Sequence, residues 1–169
     1  MASDASQPVV INGWTIFAHP FFLEQIEKLI AKVEAVAKKT PGKLDRHPAA
    51  KLLKQLRVVA FERIPQDPAN PRYRQGATLG DDYKHWCRDK FGSGRFRLFF
   101  RYDSSARIII YAWVNDEHTL RTYGAKNDAY AVFAKMLASG NPPDDWSALV
   151  AACKKPSLLQ RLSGALKGS

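Results

Sequence analysis

The chain has 169 residues and carries 26 Lys+Arg against 16 Asp+Glu, a formal net charge of +10. With 46% apolar and 11% aromatic residues it can fill a core, so one folded domain is expected and wholesale disorder is excluded. No run of about 18 apolar residues is present, which excludes a membrane-spanning helix.

In chain order, residues 1–10 read as a flexible polar start, a folded domain is expected over 11–153, and 154–169 form a basic tail. The start MASDASQPVV lacks a basic segment followed by an apolar one, so no secretory signal is expected. Trp14-Thr15-Ile16-Phe17 reads as a short strand. Pro20 then opens an amphipathic helix bearing Phe22, Ile26, Leu29, Ile30, Val33, Val36 and Ala37, which stops before Pro41-Gly42. A second helix follows Pro48 with Leu52, Leu53, Leu56, Val59, Ala60 and Ile64 on one face, making a helical hairpin. Residues 65–83 hold Pro65, Pro68, Pro71, Gly76 and Gly80, a long irregular loop of the kind that is often functional or mobile.

Alternation then takes over. His85–Phe91, Arg95–Tyr102 and Arg107–Val114 predict three strands in an antiparallel meander, joined at Gly92-Ser93-Gly94 and Asp103-Ser104-Ser105. A third helix is expected from Asn127 to about Ser139, ended by Gly140, and a turn at 141–146 leads into a short last helix. The tail has an amphipathic pattern, Leu158, Leu159, Leu162 and Leu166, compatible with disorder or with folding on a partner. The fold class is therefore α+β: a two-helix hairpin packed on a twisted antiparallel sheet, with a third helix after the sheet and a short C-terminal helix. Cys87 and Cys153 cannot form a disulfide framework or a paired zinc motif, which fits a reducing cytoplasm.

Half of the net charge, +5, lies in residues 84–126, and a further +4 lies in 147–169. The central excess is mostly arginine, whose planar fork suits phosphate. On the second strand of the meander Arg95, Arg97, Phe99 and Arg101 point one way and Phe96, Leu98, Phe100 and Tyr102 the other. The strand before it groups Trp86, Arg88 and Lys90. A two-residue turn at Ser93-Gly94 pairs Lys90 with Arg97, Arg88 with Phe99 and Phe91 with Phe96, so charge meets charge and core meets core. One basic sheet face, holding Arg88, Lys90, Arg95, Arg97 and Arg101, is expected to meet an anionic partner. The following strand is expected to set Arg107, Ile109, Tyr111 and Trp113 on one face. Beyond it, Asp116, Glu117 and His118 are adjacent in sequence and so make a poor metal site. Tyr130 opens the third helix and reads as either a functional or a core residue.

These residues carry a resemblance. Asn12-Gly13-Trp14 with Ala18-His19-Pro20, the run KFGSGRFRLFFRY at 90–102, WVNDEHTLRTYGAKND at 113–128 and Pro142-Pro143-Asp144-Asp145-Trp146 together resemble the YhaV family of type II toxin–antitoxin toxins, within the wider RelE/ParE superfamily. The resemblance spans roughly Asn12 to Trp146. It implies a RelE-like fold and an endoribonuclease that cleaves messenger RNA, commonly on the ribosome, and arrests translation. It also implies a PrlF-type antitoxin partner and autorepression through operator DNA bound by the pair.

Carried over by position, the resemblance places the catalytic set on Arg88, Lys90, Arg97 and Tyr130. Arg121 is the first choice for a loop phosphate clamp and Lys126 the second. Lys84, Trp86, Arg95, Arg101, Tyr123 and Lys126 are expected to bind RNA, with no metal and no cofactor. Cleavage by the 2′-OH needs a base, charge stabilisation at phosphorus and an acid for the 5′-oxygen. Lys90 is assigned as base or proton relay with help from Arg88, Arg97 and Arg121 as phosphate clamps, and Tyr130 or Tyr123 as acid or stacking platform. The rival readings are a non-catalytic RNA-binding module and a ParE-like toxin directed at gyrase.

Overall fold

The structure, a computed structural model, describes residues 7–167. The chain opens with β1 (Val9–Ile11) and β2 (Trp14–Ala18), joined by Asn12 and Gly13, both at positive φ (51° and 80°). Asn-Gly is the residue pair that a tight hairpin turn asks for. β1 falls at the boundary of the stretch expected to be flexible, because Val9-Val10-Ile11 is too short to show alternation.

Helix α1 (Pro20–Lys39) starts on His19, whose Nδ1 accepts the Phe21 N–H at 3.1 Å, and ends at Thr40 before Pro41. Helix α2 (Pro48–Val58) uses His47 in the same way. It then widens into a π turn over Val59–Arg63, where the Tyr111 hydroxyl donates to the Ala60 carbonyl. The meander follows as β3 (Cys87–Phe91), β4 (Phe96–Asp103) and β5 (Ile108–Val114). Helices α3 (Ala129–Ala138), α4 (Trp146–Cys153) and α5 (Pro156–Lys167) complete the chain.

The sheet is mixed, in the order β1-β2-β5-β4-β3, with β2 parallel to β5 and every other pair antiparallel. An all-antiparallel sheet was the expectation. The parallel pairing of Thr15 with Ile108 joins segments more than ninety residues apart, a non-local contact that local patterning does not encode. The β3–β4 register is the one the charge pattern requires: Lys90 opposite Arg97, Arg88 opposite Phe99, Phe91 opposite Phe96.

Helices cover both sheet faces. On one side Phe22 and Ile26 of α1, Leu53 and Leu56 of α2, and Leu158 and Leu162 of α5 pack on Leu98, Phe100, Ile109 and Tyr111. On the other, Phe133 and Leu137 of α3 and Leu149 of α4 pack on Trp86, Phe99, Ile110 and Trp113. Trp113 therefore lies opposite Tyr111 and Ile109, not beside them. The register between β4 and β5 slips at Phe99/Phe100, so Ala112 is an extra residue on β5 and Trp113 turns to the α3 side. There it stacks on Phe99 and Phe133, each 5.9 Å away between ring centres.

The tail is helix. Leu158, Leu162 and Ala165 of α5 enter the first core, Arg161 holds Glu27 of α1 through two hydrogen bonds (2.6 and 3.1 Å), and Arg57 donates to the Ala165 carbonyl. Among the described residues, no helix is long and apolar enough to cross a membrane.

Candidate active site

The basic sheet face does not lie open as a plane. Because α3 and α4 cover most of it, Arg88 and Arg97 are gathered where α3 begins and Arg101 lies beside α4, and these arginines differ sharply in what they touch.

Arg88 and Arg97 meet on Tyr130. Each donates its Nε–H to the phenol oxygen at 3.0 Å. Both guanidinium groups are also tied from behind: Arg88 Nη1 donates to the Arg72 carbonyl at 2.8 Å, and Arg97 Nη1 to the carbonyls of Gly94 (2.7 Å) and Phe96 (3.1 Å). Arg97 is only 5% exposed, and its guanidinium lies over the Tyr130 ring at 5.6 Å. The phenol thus accepts from two arginines and keeps its own O–H to donate.

Arg121 arrives from the loop between β5 and α3. Its backbone N–H bonds the Arg95 carbonyl at 3.0 Å, which pins the loop to the start of β4. The guanidinium lies 4.6 Å from the Tyr130 ring centre and 3.7 Å from that of Tyr123. It pairs with Asp128 at 2.7 Å, while its Nε is a buried donor with no acceptor among the described residues. Asp128 is also the N-cap of α3, accepting from Tyr130 N–H (3.1 Å) and Thr122 N–H (2.6 Å). Burial opposes its charge, but the bonds from Arg121 and the two amides outweigh that and hold the carboxyl below its ordinary range.

Asn115 fixes the same corner. Buried, it accepts Arg97 N–H at 2.7 Å and donates to the Arg95 carbonyl (3.1 Å) and the Thr119 carbonyl (2.8 Å). Neither Asn115 nor Asp128 was among the expected site residues. Both lie inside the run at 113–128 that carries the resemblance, but neither was singled out there as a site residue.

The remaining expected residues divide. Lys90 faces the same way as Arg88 and is exposed at the margin of the cluster. Arg95, Lys126 and Tyr123 are exposed, Tyr123 at 84%. Lys84 is exposed and sits 3.6 Å from Asp81. Two assignments are corrected. Trp86 is fully buried, edge-on to Phe133 with its indole N–H on Asp144 at 2.8 Å, so it cannot stack on a base. Arg101 lies between the rings of Trp86 and Trp146 (5.4 and 5.2 Å) and donates to the Asp144 carbonyl, so it braces α4 against the sheet. The Asp116–His118 segment closes on itself: Asp116 accepts from His118 N–H and Thr119 at 3.0 Å each, and from Gln25 at 3.2 Å.

A family described as toxins with endonuclease activity, of toxin–antitoxin systems, matches residues 16–154. The chain belongs to the YhaV toxin family. Toxin YhaV of Escherichia coli strain CFT073 is 50% identical over 143 residues, which is 84% of this chain and 93% of that relative. The protein named Ribonuclease toxin YhaV in Escherichia coli strain K-12 is 49% identical over the same shares. No solved structure matches the chain. In YhaV toxins an endonuclease site is required, and the Arg88–Arg97–Arg121–Tyr130 cluster is a dense, pre-tied cationic corner beside an exposed aromatic ring.

Proposed function

We propose that the Arg88–Arg97–Arg121–Tyr130 corner is the cleavage site of a metal-independent endoribonuclease that cuts messenger RNA on the ribosome. The supporting observation is the Tyr130 hydroxyl shared by two arginine Nε–H donors. The arrangement of helices against the sheet is read as RelE-like, the antitoxin as PrlF-type, and the toxin–antitoxin pair as a repressor of its own operator DNA.

The 2′-oxygen attacks phosphorus, so the O2′–P bond forms as the P–O5′ bond breaks. Lys90, exposed on the same strand face, is the base or proton relay for the 2′-OH with help from Arg88, a role that only its unprotonated amine can fill. Arg88, Arg97 and Arg121 face the phosphate oxygens, and because their other nitrogens are already bonded to the protein, little reorganisation remains when charge develops. Tyr130 O–H delivers a proton to the leaving 5′-oxygen, and Tyr123 offers its open ring to an extruded base.

The products are a 2′,3′-cyclic phosphate and a 5′-hydroxyl. The test is end-group analysis of message incubated with the purified chain, with and without ribosomes and in excess EDTA. Cyclic ends in EDTA, lost in Arg97→Ala and Tyr130→Phe, are expected. Bound but intact RNA from the unmodified chain leaves a binding module, and metal-dependent cleavage overturns the mechanism.

A further inference from the structure

A groove of about 590 Å³ runs between α1, the start of α2 and the β3–β4 turn. Its floor is apolar: Leu29, Leu52, Leu56, Phe91 and Phe96. Lys28 and Lys32 of α1 and Lys51 of α2 stand on its rim, all three exposed. A second recess of about 340 Å³ shares Gln55, Phe91 and Gly92 with the first and continues past Lys54 and Val58 to Lys90. Val58 is one of three large apolar side chains that are well exposed among the described residues. The two recesses meet at Gly92, at φ +59°, where a Cβ would come within 2.6 Å of the Phe96 ring and 3.1 Å of Leu52. Glycine there lets the β3–β4 turn close onto α2 and keeps the groove continuous.

The charge is one-sided. None of Lys28, Lys32, Lys51 and Lys54 takes part in an ion pair among the described residues. Of the two acids on the far wall, Asp116 is engaged, accepting from Gln25 and Thr119, while Glu117 is exposed with His118 3.7 Å away. Lysine over an apolar floor suits acidic side chains flanking apolar ones. RNA fits it less well. Phosphate recognition favours the arginine fork, and of the two rings in the floor Phe91 is buried and lies tilted against Phe96, 5.6 Å between centres.

We propose that this groove is the docking site of the antitoxin, which lays an acidic, amphipathic segment along α2 so that its far end covers Lys90. The consequence for inhibition rests on the reading of Lys90 as part of the cleavage site; the docking itself does not. Neutralisation then follows from masking a proton-accepting amine and narrowing the approach to Tyr130.

The experiment compares the full chain with a variant carrying Lys28→Glu, Lys32→Glu, Lys51→Glu and Lys54→Glu, none of them in the proposed cleavage machinery. Antitoxin affinity is expected to fall by about 100-fold while message cleavage stays within about twofold. Hydrogen exchange on the unmodified toxin–antitoxin complex is expected to show protection over residues 28–32, 49–56 and 90–96, which keeps the test independent of the variant's folding. Unchanged affinity, or protection confined to the Tyr130 corner, overturns the proposal. Cleavage that falls while antitoxin affinity holds also overturns it and makes the groove an RNA track. An unmodified chain that cuts no RNA but loses antitoxin through the four substitutions would support the docking and reject the cleavage reading.

Discussion

Arg97 donates its Nε–H to the Tyr130 hydroxyl at 3.0 Å from a side chain that is itself buried, and the same oxygen takes the Nε–H of Arg88. Tyr130→Phe keeps the ring under Arg121 and removes only that acceptor. Two donors then lose their partner, one of them buried, so stability should fall by about 1–3 kcal/mol. With the O–H gone the leaving oxygen lacks its acid, and single-turnover cleavage should slow by about 100-fold or more. Cleavage rate and urea unfolding measured on one preparation separate the two effects. A rate within a few-fold of the unmodified chain would remove Tyr130 from the acid role.

Asn115 acts on the site through Arg97. Asn115→Ala strands the buried Arg97 N–H and the Thr119 carbonyl, while the Arg95 carbonyl keeps its bond from Arg121 N–H, and is expected to cost about 1–3 kcal/mol. Asn115→Asp keeps the acceptor for Arg97 N–H and loses the donor to Arg95 and Thr119. Both variants should reduce kcat with little change in KM, because they loosen the placement of Arg97 and Arg121 without removing a phosphate contact. A KM effect alone would mean that the asparagine only supports RNA binding.

What could be read from the chain depended on how local the cause was. The Lys90–Arg97 register followed from matching charge and apolar rows across a tight turn, and α1 and α2 from 3.6-residue spacing behind Pro20 and Pro48. The parallel β2–β5 pair and the bulge at Ala112 depend on contacts distant in sequence, and the bulge alone turned Trp113 to the other face. The burial of Trp86 and the half-burial of Arg101 had the same origin. Their alternation was correct, but α3 and α4 fold back over that face, so a surface row became an interlayer. Arg88, Arg97, Arg121 and Tyr130 were named from a resemblance; their convergence on one oxygen and one ring was not legible until Asn115 and Asp128 fixed the loop.

Trp86 makes that distinction measurable. Trp86→Phe removes the indole N–H from Asp144 and leaves a space beside Phe133, so stability should drop by about 1–3 kcal/mol. RNA affinity and its salt dependence should be unchanged, since no phosphate contact is lost. Tyr123→Ala, by contrast, removes an exposed ring and should weaken RNA binding by about 1–3 kcal/mol with little loss of stability. Filter binding over a salt series, beside thermal melts, reads both.

The Arg121–Asp128 pair is nearly closed to solvent, and breaking it from the acid side leaves a guanidinium without its counter-charge. Asp128→Asn is expected to destabilise by about 3 kcal/mol and to slow cleavage, because Arg121 is freed from its place over Tyr130. The pair also gives an acid dependence. Asp128 sits below its ordinary value of 3.8 in the fold, so its contribution is fully present above about pH 4 and is lost as the pH falls through the folded value. Acid unfolding should therefore be displaced in Asp128→Asn, with the two proteins converging at the lowest pH.

His19 sets a second pH dependence, in a range nearer neutrality. Its Nδ1 accepts the Phe21 N–H that starts α1, and its Nε2 meets Asn141 Oδ1 at 3.0 Å, which fixes the neutral ring with Nε2 protonated. Burial lowers its pKa from the ordinary 6.5, and the bond to Asn141 offsets this only in part. Protonation would place a hydrogen on Nδ1, which must accept, and a charge where the side chain is buried. The folded value lies below the unfolded one, so stability is complete above about pH 6.5 and falls as the pH drops through the folded value. Melting temperature followed from pH 7.5 to pH 5 should decline in the unmodified chain. In His19→Asn, which retains an N-cap acceptor and cannot titrate, the same series should start lower and run nearly flat. Parallel slopes in the two proteins would assign the decline to another group.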